Sequence, residues 1–557
     1  MEFIIAFVEH LFKYQILFTF LYFVGRSSTL VFSNLINKNI KLPEKIFNVN
    51  VKIVYPLIGI VMFGNFLVIV NFFIPLNSPF VILFSILIIL PNFKKVNINY
   101  LSFTNLSNWF YYLVIPSILL FSTFDILFHY DSGYYHLNNQ NWLTESNMVI
   151  GFVNIFWAFG MSSIYEYLSA FLWIDSSLIY LHFLNLFFIH FIYTFFSESI
   201  LFLKDNFLKN ASIFLIIFSL LDNFGFGGGR NGFFYIESMG KQDNAVGILI
   251  LFLVLTIFNY IIKKDISRLD LLLLPIICIF AVQIKISAAL VGYLYIFFMY
   301  IIIKSENFNI RNILVLKIPA TIISFVWIIK NYLQTGCLIF PISFTCKNNF
   351  KWFIEGSSSD FQAITVNSSY SIFRFSSFSE WLTIFDQVGN LRNIYLNFLI
   401  SLLLIYVLKR IFFEKVKTTK EIFILVLSFC LLYLIYLLLY GIIPRYSIGL
   451  LVSIIGFISI TTGNLKINLN QFTLYLIIFI SVVLIVRIDS YLYAFGNEKP
   501  KYQNFDASNA VQYKRFNENW VVPIQGDQCW INIDCSMAES NIELIDNGFF
   551  KTAFKEN

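Results

Sequence analysis

Long apolar runs broken by short polar clusters dominate this chain. The runs do not alternate with polar residues, and most reach the ~20 residues that carry a helix across the hydrocarbon of a bilayer. They lie near 3–25, 53–75, 79–92, 108–128, 178–200, 210–224, 245–262, 269–283, 286–303, 312–330, 392–408, 421–441, 446–463 and 471–489. The pattern predicts an all-α polytopic transmembrane bundle of about 14 helices over residues 1–489. A polar extracytoplasmic tail, 490–557, follows it. Two further segments are too long for turns. The first, 129–177, carries Trp142, Trp157 and Trp173 and predicts amphipathic helices lying in the outer interface. The second, 331–391, is a large outer loop with the Ser/Asn-rich centre GSSSDFQAITVNSSYS.

Composition agrees. Of 557 residues, 58% are hydrophobic and 13% charged, against about 25% charged in a soluble domain. Such a chain cannot cover its apolar surface with its own polar groups, so membrane lipids are its first partners. Lys and Arg are shared unevenly among the short loops. One parity holds Arg26 to Lys52, Lys94, Lys95, Lys204, Lys209, Lys263, Lys264, Arg268, Lys304, Arg311, Lys409 to Lys420, and Lys466. The other holds only Arg230, Lys241, Lys285 and Arg445. The positive-inside rule puts the first set in the cytoplasm and both termini outside. The opening MEFIIAFVEHLFKYQ lacks a basic start and a small-residue cleavage site, and reads as an uncleaved first helix. The net charge of +6 is scattered, with no basic stripe or aromatic platform, which argues against nucleic acid as a partner.

Candidate chemistry gathers at outer positions. Asp131, in HYDSGYYHLNNQNWLTE, sits where the run 108–128 ends, and Gly133 permits a tight turn beside it. A carboxylate there can take a proton from a substrate hydroxyl or hold a divalent cation. It can equally cap the next helix. Outer cations are the second signal, because the charge rule disfavours them: Arg230 in GFGGGRNG, Lys241 in GKQDN, Lys285 in QIKIS, Lys330 in WIIKNYLQTG and Arg445 in IIPRYS. Each fits an anionic ligand such as a lipid phosphate, or else a local ion pair or a snorkelling side chain. GFGGGRNG lacks the Gly-Lys-Ser/Thr ending of a phosphate loop. His182 and His190 share a face of one run and read as satisfied core histidines. Glu9, His10 and Lys13 read as interfacial, Lys317 as near the inner interface, and Glu166 and Asp175 as solvated surface acids. Cys529 and Cys535, in CWINIDC, predict a disulfide on the side where disulfides persist, or else two free thiols.

YDSGYYHLNNQNW, 130–142, resembles the Asp-x-Gly-x-Tyr-His signature of a family of bacterial polytopic membrane proteins that looks like a branch of the GT-C glycosyltransferases. QIKISA (283–288), WIIKNYLQTGCLIFP (327–341), IIPRYSIG (442–449) and GDQCWINIDC (526–535) follow in order, so the resemblance covers most of the chain. It implies a transferase at the outer face of a bacterial inner membrane. The donor would be a polyprenyl-phosphate-linked sugar and the acceptor an envelope glycan or lipid. Asp131 would be the acid and His136 its neighbour; Lys285, Lys330 and Arg445 would face the carrier phosphate. The chain departs from better-known members in two ways. Asp131 follows later helices than the first, and no second acid stands two residues on, so the divalent metal of some members is an open question.

Two other classes stay open. A surface-polysaccharide polymerase or ligase would use 331–391 as its outer loop, with Arg374 inside it and Arg392 just after it. A transporter of lipid-linked glycans would put ionisable residues at mid-span and pair broken helices.

Overall fold

The computed structural model describes residues 2–36, 43–93, 106–121, 128–173, 178–203, 206–221, 241–304, 310–347, 350–354, 357–387, 391–466, 512–516, 519–536 and 542–555, with isolated positions between 474 and 485. Among the described residues, nine helices are long and apolar enough to cross a membrane. They are Ile4–Ile36, Val51–Asn71, His182–Leu201, Asp243–Lys263, Ile286–Lys304, Ile313–Thr335, Leu391–Phe412, Lys420–Tyr440 and Pro444–Thr461. The chain is therefore a mostly helical, multi-span bundle, as the apolar pattern predicts.

Among the described residues nine helices reach spanning length, against the fourteen runs of the sequence. Pro79–Ile89, Ser107–Leu120 and Asn206–Leu221 are apolar but shorter. The run at 269–283 becomes the helix Arg268–Ile284. Its start is fixed by a reciprocal capping box between Ser267 and Asp270, and its end by the extended backbone of Lys285. The run 108–128 carries a π-helical turn at Phe110–Val114 within its helix and is described as far as residue 121. The run 471–489 lies outside the described residues save for isolated positions.

Burial separates a centre from a rim. The most apolar window of Asp243–Lys263 is 94% buried, whereas those of Leu391–Phe412 and Lys420–Tyr440 are 22% buried. The rim helices expose Leu399, Leu403, Leu427 and Leu431, the surface that lipid covers. Where helices meet at the centre, glycines let backbones touch, since lipid gives apolar side chains no reason to gather. A Cβ on Gly25 would lie 1.8 Å from the Tyr55 carbonyl oxygen, and one on Gly59 would lie 1.8 Å from that of Leu21. A Cβ on Gly449 would lie 2.3 Å from the Gly247 carbonyl oxygen. That second crossing sets the N-termini of Asp243–Lys263 and of the helix Pro444–Phe457 side by side at one end of the bundle. Lys263, Lys264 and Arg268 stand at the opposite end of the first of these helices.

The segment 129–177 corrects an expectation. It forms a π-helical turn, Ser132–His136, and the helices Leu137–Glu145 and Ile164–Phe171. These are buried rather than laid in an interface: Trp142, Leu143, Tyr167 and Leu168 are all core residues. Two coverings explain this. The tail folds into two antiparallel hairpins, Tyr513–Arg515 with Val521–Pro523 and Ile542–Asp546 with Lys551–Lys555. Its last strand bridges to Ile150, whose N–H donates to the Lys551 carbonyl and whose carbonyl accepts from the Ala553 N–H, both at 2.9 Å. The 331–391 loop closes over the same place. The Asn154 amide donates to the carbonyls of Trp352 and Ala553, at 2.9 Å each. Within that loop Cys337 is bonded to Cys346, and part of the Ser/Asn-rich centre is the helix Ser357–Ser368.

Candidate functional site

Asp131 is the residue that enters the π-helical turn Ser132–His136, and its side chain makes no capping bond there. It pairs instead with Lys241, two residues before the helix Asp243–Lys263. Asp243, the first residue of that helix, pairs with Lys285. The Lys285 ammonium lies 4.9 Å from the centre of the Tyr446 ring, and the Arg445 guanidinium lies 5.0 Å from the same point. Arg445 also donates from Nη2 to the Tyr446 hydroxyl at 3.2 Å. Its charge acts on Asp131, Lys241, Asp243 and Lys285. Two loops and two helix N-termini thus deliver one cluster.

Three cations meet two carboxylates in it, which leaves one positive charge in excess. His129 does not change the sum at neutral pH. Burial, reinforced by Lys241, pushes its imidazole down to about 4. Burial alone would raise the Asp131 carboxyl, but the Lys241 ammonium more than reverses this, so Asp131 sits below the ordinary carboxylate range. Burial, reinforced by Arg445, draws Lys241 below the ordinary lysine value. Partly buried cations in excess are costly unless an anion shares them. The Arg445 Nε is buried and has no hydrogen-bond partner among the described residues. A phosphate oxygen would supply both the charge and the acceptor.

His136 closes the π-helical turn that Asp131 enters. It is buried, and its Nδ1 bonds to Glu166 Oε1. Gln140 donates to Glu166 Oε2 at 2.6 Å, and the Trp173 indole donates to Gln140 at 2.9 Å. Glu166 is therefore a buried partner rather than a solvated surface acid, because the Ile164–Phe171 helix packs against the Leu137–Glu145 helix. Asp175 lies outside the described residues.

Other expected residues fall elsewhere. Lys330 is fully buried and does not join the cluster. Its ammonium lies 3.3 Å from Asn331 Oδ1, and 4.2 Å and 5.6 Å from the ring centres of Trp327 and Tyr167. Arg230 lies outside the described residues. His190 is satisfied on both nitrogens, by the Tyr14 hydroxyl at 2.8 Å and the Tyr111 carbonyl at 2.7 Å. Lys13 pairs with Glu9 at 2.6 Å in an exposed position, whereas His10 beside them is buried. Cys529 and Cys535 form the expected disulfide. Among the described residues no group of three or more His, Cys, Asp or Glu is set to hold a metal ion.

Residues 9–452 match the family described as Domain of unknown function (DUF8201). The chain belongs to that family. No curated protein and no solved structure matches it. The matched stretch of this DUF8201 chain includes Asp131, Lys241, Asp243, Lys285 and Arg445, and leaves out the tail.

Sequence reasoning missed Asp243 and Tyr446. Asp243 had a signal of the same kind as Asp131, an acid at the end of an apolar run, and it stands two residues from Lys241 in KQDN. Tyr446 had none beyond its place next to Arg445. The Cys337–Cys346 bond was also missed, although both cysteines lie in the long loop on the same side as Cys529 and Cys535.

Proposed function

We propose that this protein is a membrane glycosyltransferase of GT-C type. It moves a sugar from a polyprenyl-phosphate carrier to a hydroxyl of an envelope glycan or lipid at the outer face of a bacterial inner membrane. The observation that carries the reading is the meeting of Lys241, Lys285 and Arg445 with Asp131 at one end of the bundle, with a cation in excess. The positive-inside rule supports an outer location for that end, since the dense Lys and Arg loops belong to the other parity. Two disulfides, one in the tail and one in the long loop, agree with an oxidising compartment.

The chemistry follows from the charges. The carrier phosphate enters from the lipid and draws Lys241, Lys285 and Arg445, which lowers the energy of the leaving group. As Lys241 turns to phosphate, Asp131 is left ionised and free to accept a hydrogen bond. The acceptor oxygen then bonds to the anomeric carbon, and the bond from that carbon to the phosphate oxygen breaks. The bonding pair leaves with polyprenyl phosphate, and the acceptor proton goes to Asp131. His136, at the far end of the same turn, is fixed by Glu166. No soluble nucleotide is needed on that side.

The test uses the full chain in nanodiscs with a radiolabelled polyprenyl-phosphate sugar and envelope extract as acceptor. Wild type should transfer label, and Asp131→Asn and Arg445→Gln should each reduce transfer by about 100-fold or more. Label transfer by Asp131→Asn at the wild-type rate would remove this reading. So would impermeant labelling that put residue 131 in the cytoplasm.

A further inference from the structure

The tail reaches the candidate site at one point, and the contact is made on both sides of Asp131. Before it, the Tyr130 hydroxyl bonds to Asp527, and Gln528 donates to the Tyr130 carbonyl at 3.0 Å. After it, the Trp530 N–H donates to the Gly133 carbonyl at 2.9 Å. The Trp530 indole lies flat against Gly133. A Cβ added there would stand 2.4 Å from its Cε2 and 2.8 Å from its Nε1. Gly133 therefore serves close approach rather than a turn, since its backbone is not in the left-handed region that a tight turn would demand.

Further along, the amides of Asn138 and Asn141 donate to the carbonyls of Asn532 and Ile531. All these tail residues lie in or beside the loop closed by Cys529 and Cys535. Trp530 itself holds a φ of +49°, a region that non-glycine residues enter at a cost and keep only when their surroundings demand it. The rest of the loop and the docked indole supply that demand.

We propose that Trp530, carried by the Cys529–Cys535 loop, is the positioning residue of Asp131. It clamps the π-helical turn so that the carboxylate faces Lys241. The role of Asp131 in transfer rests on the reading given above; the clamp does not. The family match ends at residue 452, so the clamp joins a tryptophan beyond the matched stretch to a turn inside it.

Hydrogen–deuterium exchange of the full chain in nanodiscs tests this without any activity. In Trp530→Ala, amides of 129–136 should exchange roughly tenfold faster or more, while those of the Asp243–Lys263 helix keep the wild-type rate. Trp530→Phe should restore part of the protection. Gly133→Ala should show the same local loosening with the indole intact, and Gly133→Ala with Trp530→Ala should be no looser than Trp530→Ala alone. Wild-type protection of 129–136 in Trp530→Ala overturns the proposal. If Trp530→Ala loosens the Asp243–Lys263 helix as well, Gly133→Ala decides, and wild-type protection there overturns it too. Once transfer is measured, Trp530→Ala should lower turnover more than it raises the KM for the carrier. Absence of transfer by wild type would end the transferase reading and leave the exchange result standing.

Discussion

Gly449 and Gly247 meet backbone to backbone, and a Cβ on Gly449 would lie 2.3 Å from the Gly247 carbonyl oxygen. No side chain can yield there, because the obstacle is main chain. The contact holds the helix that begins with Asp243 against the helix that bears Arg445. Gly449→Val should therefore lower stability by about 2 kcal/mol or more and should impair the cluster at the helix ends. Gly456→Ala, whose Cβ would meet only the Leu255 Cδ2 at 2.9 Å, is the control and should be tolerated. Thermal unfolding in detergent reads both; equal midpoints would refute the close-packing argument.

The far side of the cluster is held by one ion pair, between Asp243 and Lys285, and breaking it from one side leaves a cation beside Arg445. Asp243→Asn should cost about 3 kcal/mol, since a largely buried charge loses its partner. Asp243→Leu with Lys285→Met should cost less than the sum of the two single changes. Additive losses in chemical denaturation would show that the two side chains are not coupled.

His129 gives a pH dependence of known sign. Its pKa is about 4 in the folded protein and 6.5 ordinarily. As pH falls from 6.5 towards 4, the unfolded chain takes up a proton that the folded protein refuses, so stability falls through that window. His129→Gln should flatten this slope. Unfolding midpoints measured across the window, with the same slope in both proteins, would contradict the assignment.

Cysteine chemistry offers a direct check. Peptide mapping without reductant should find Cys337 linked to Cys346 and Cys529 to Cys535, with Cys278 and Cys430 as thiols. Loops this short give disulfides worth roughly 2–3 kcal/mol each. Any other pairing would contradict the fold of the loop or of the tail.

The broad fold was legible because apolar runs of spanning length have few alternatives. Their count was harder to read. Hydropathy cannot see that the Arg268–Ile284 helix stops at Lys285. The cluster was half legible. Asp131, Lys241, Lys285 and Arg445 stood out as charges in unfavourable places, and they come together. Lys330 stood out for the same reason and went elsewhere, because the side of a helix that a lysine occupies depends on tertiary packing. Glu166 and Trp530 could not be read in advance. Each gains its role from a partner distant in sequence, His136 for one and Gly133 for the other.

Asn154 bears on the order in which the protein is assembled. Its amide joins a carbonyl from the long loop to one from the strand Lys551–Lys555, so the centre of the chain is completed by residues made long after it. A ribosome that has delivered the helix Pro444–Phe457 has not yet supplied Trp530 or Thr552. Nascent chains halted before residue 513 would hold their helices in the membrane around an unclosed middle. The tail strands act as a late stitch rather than as an appendage.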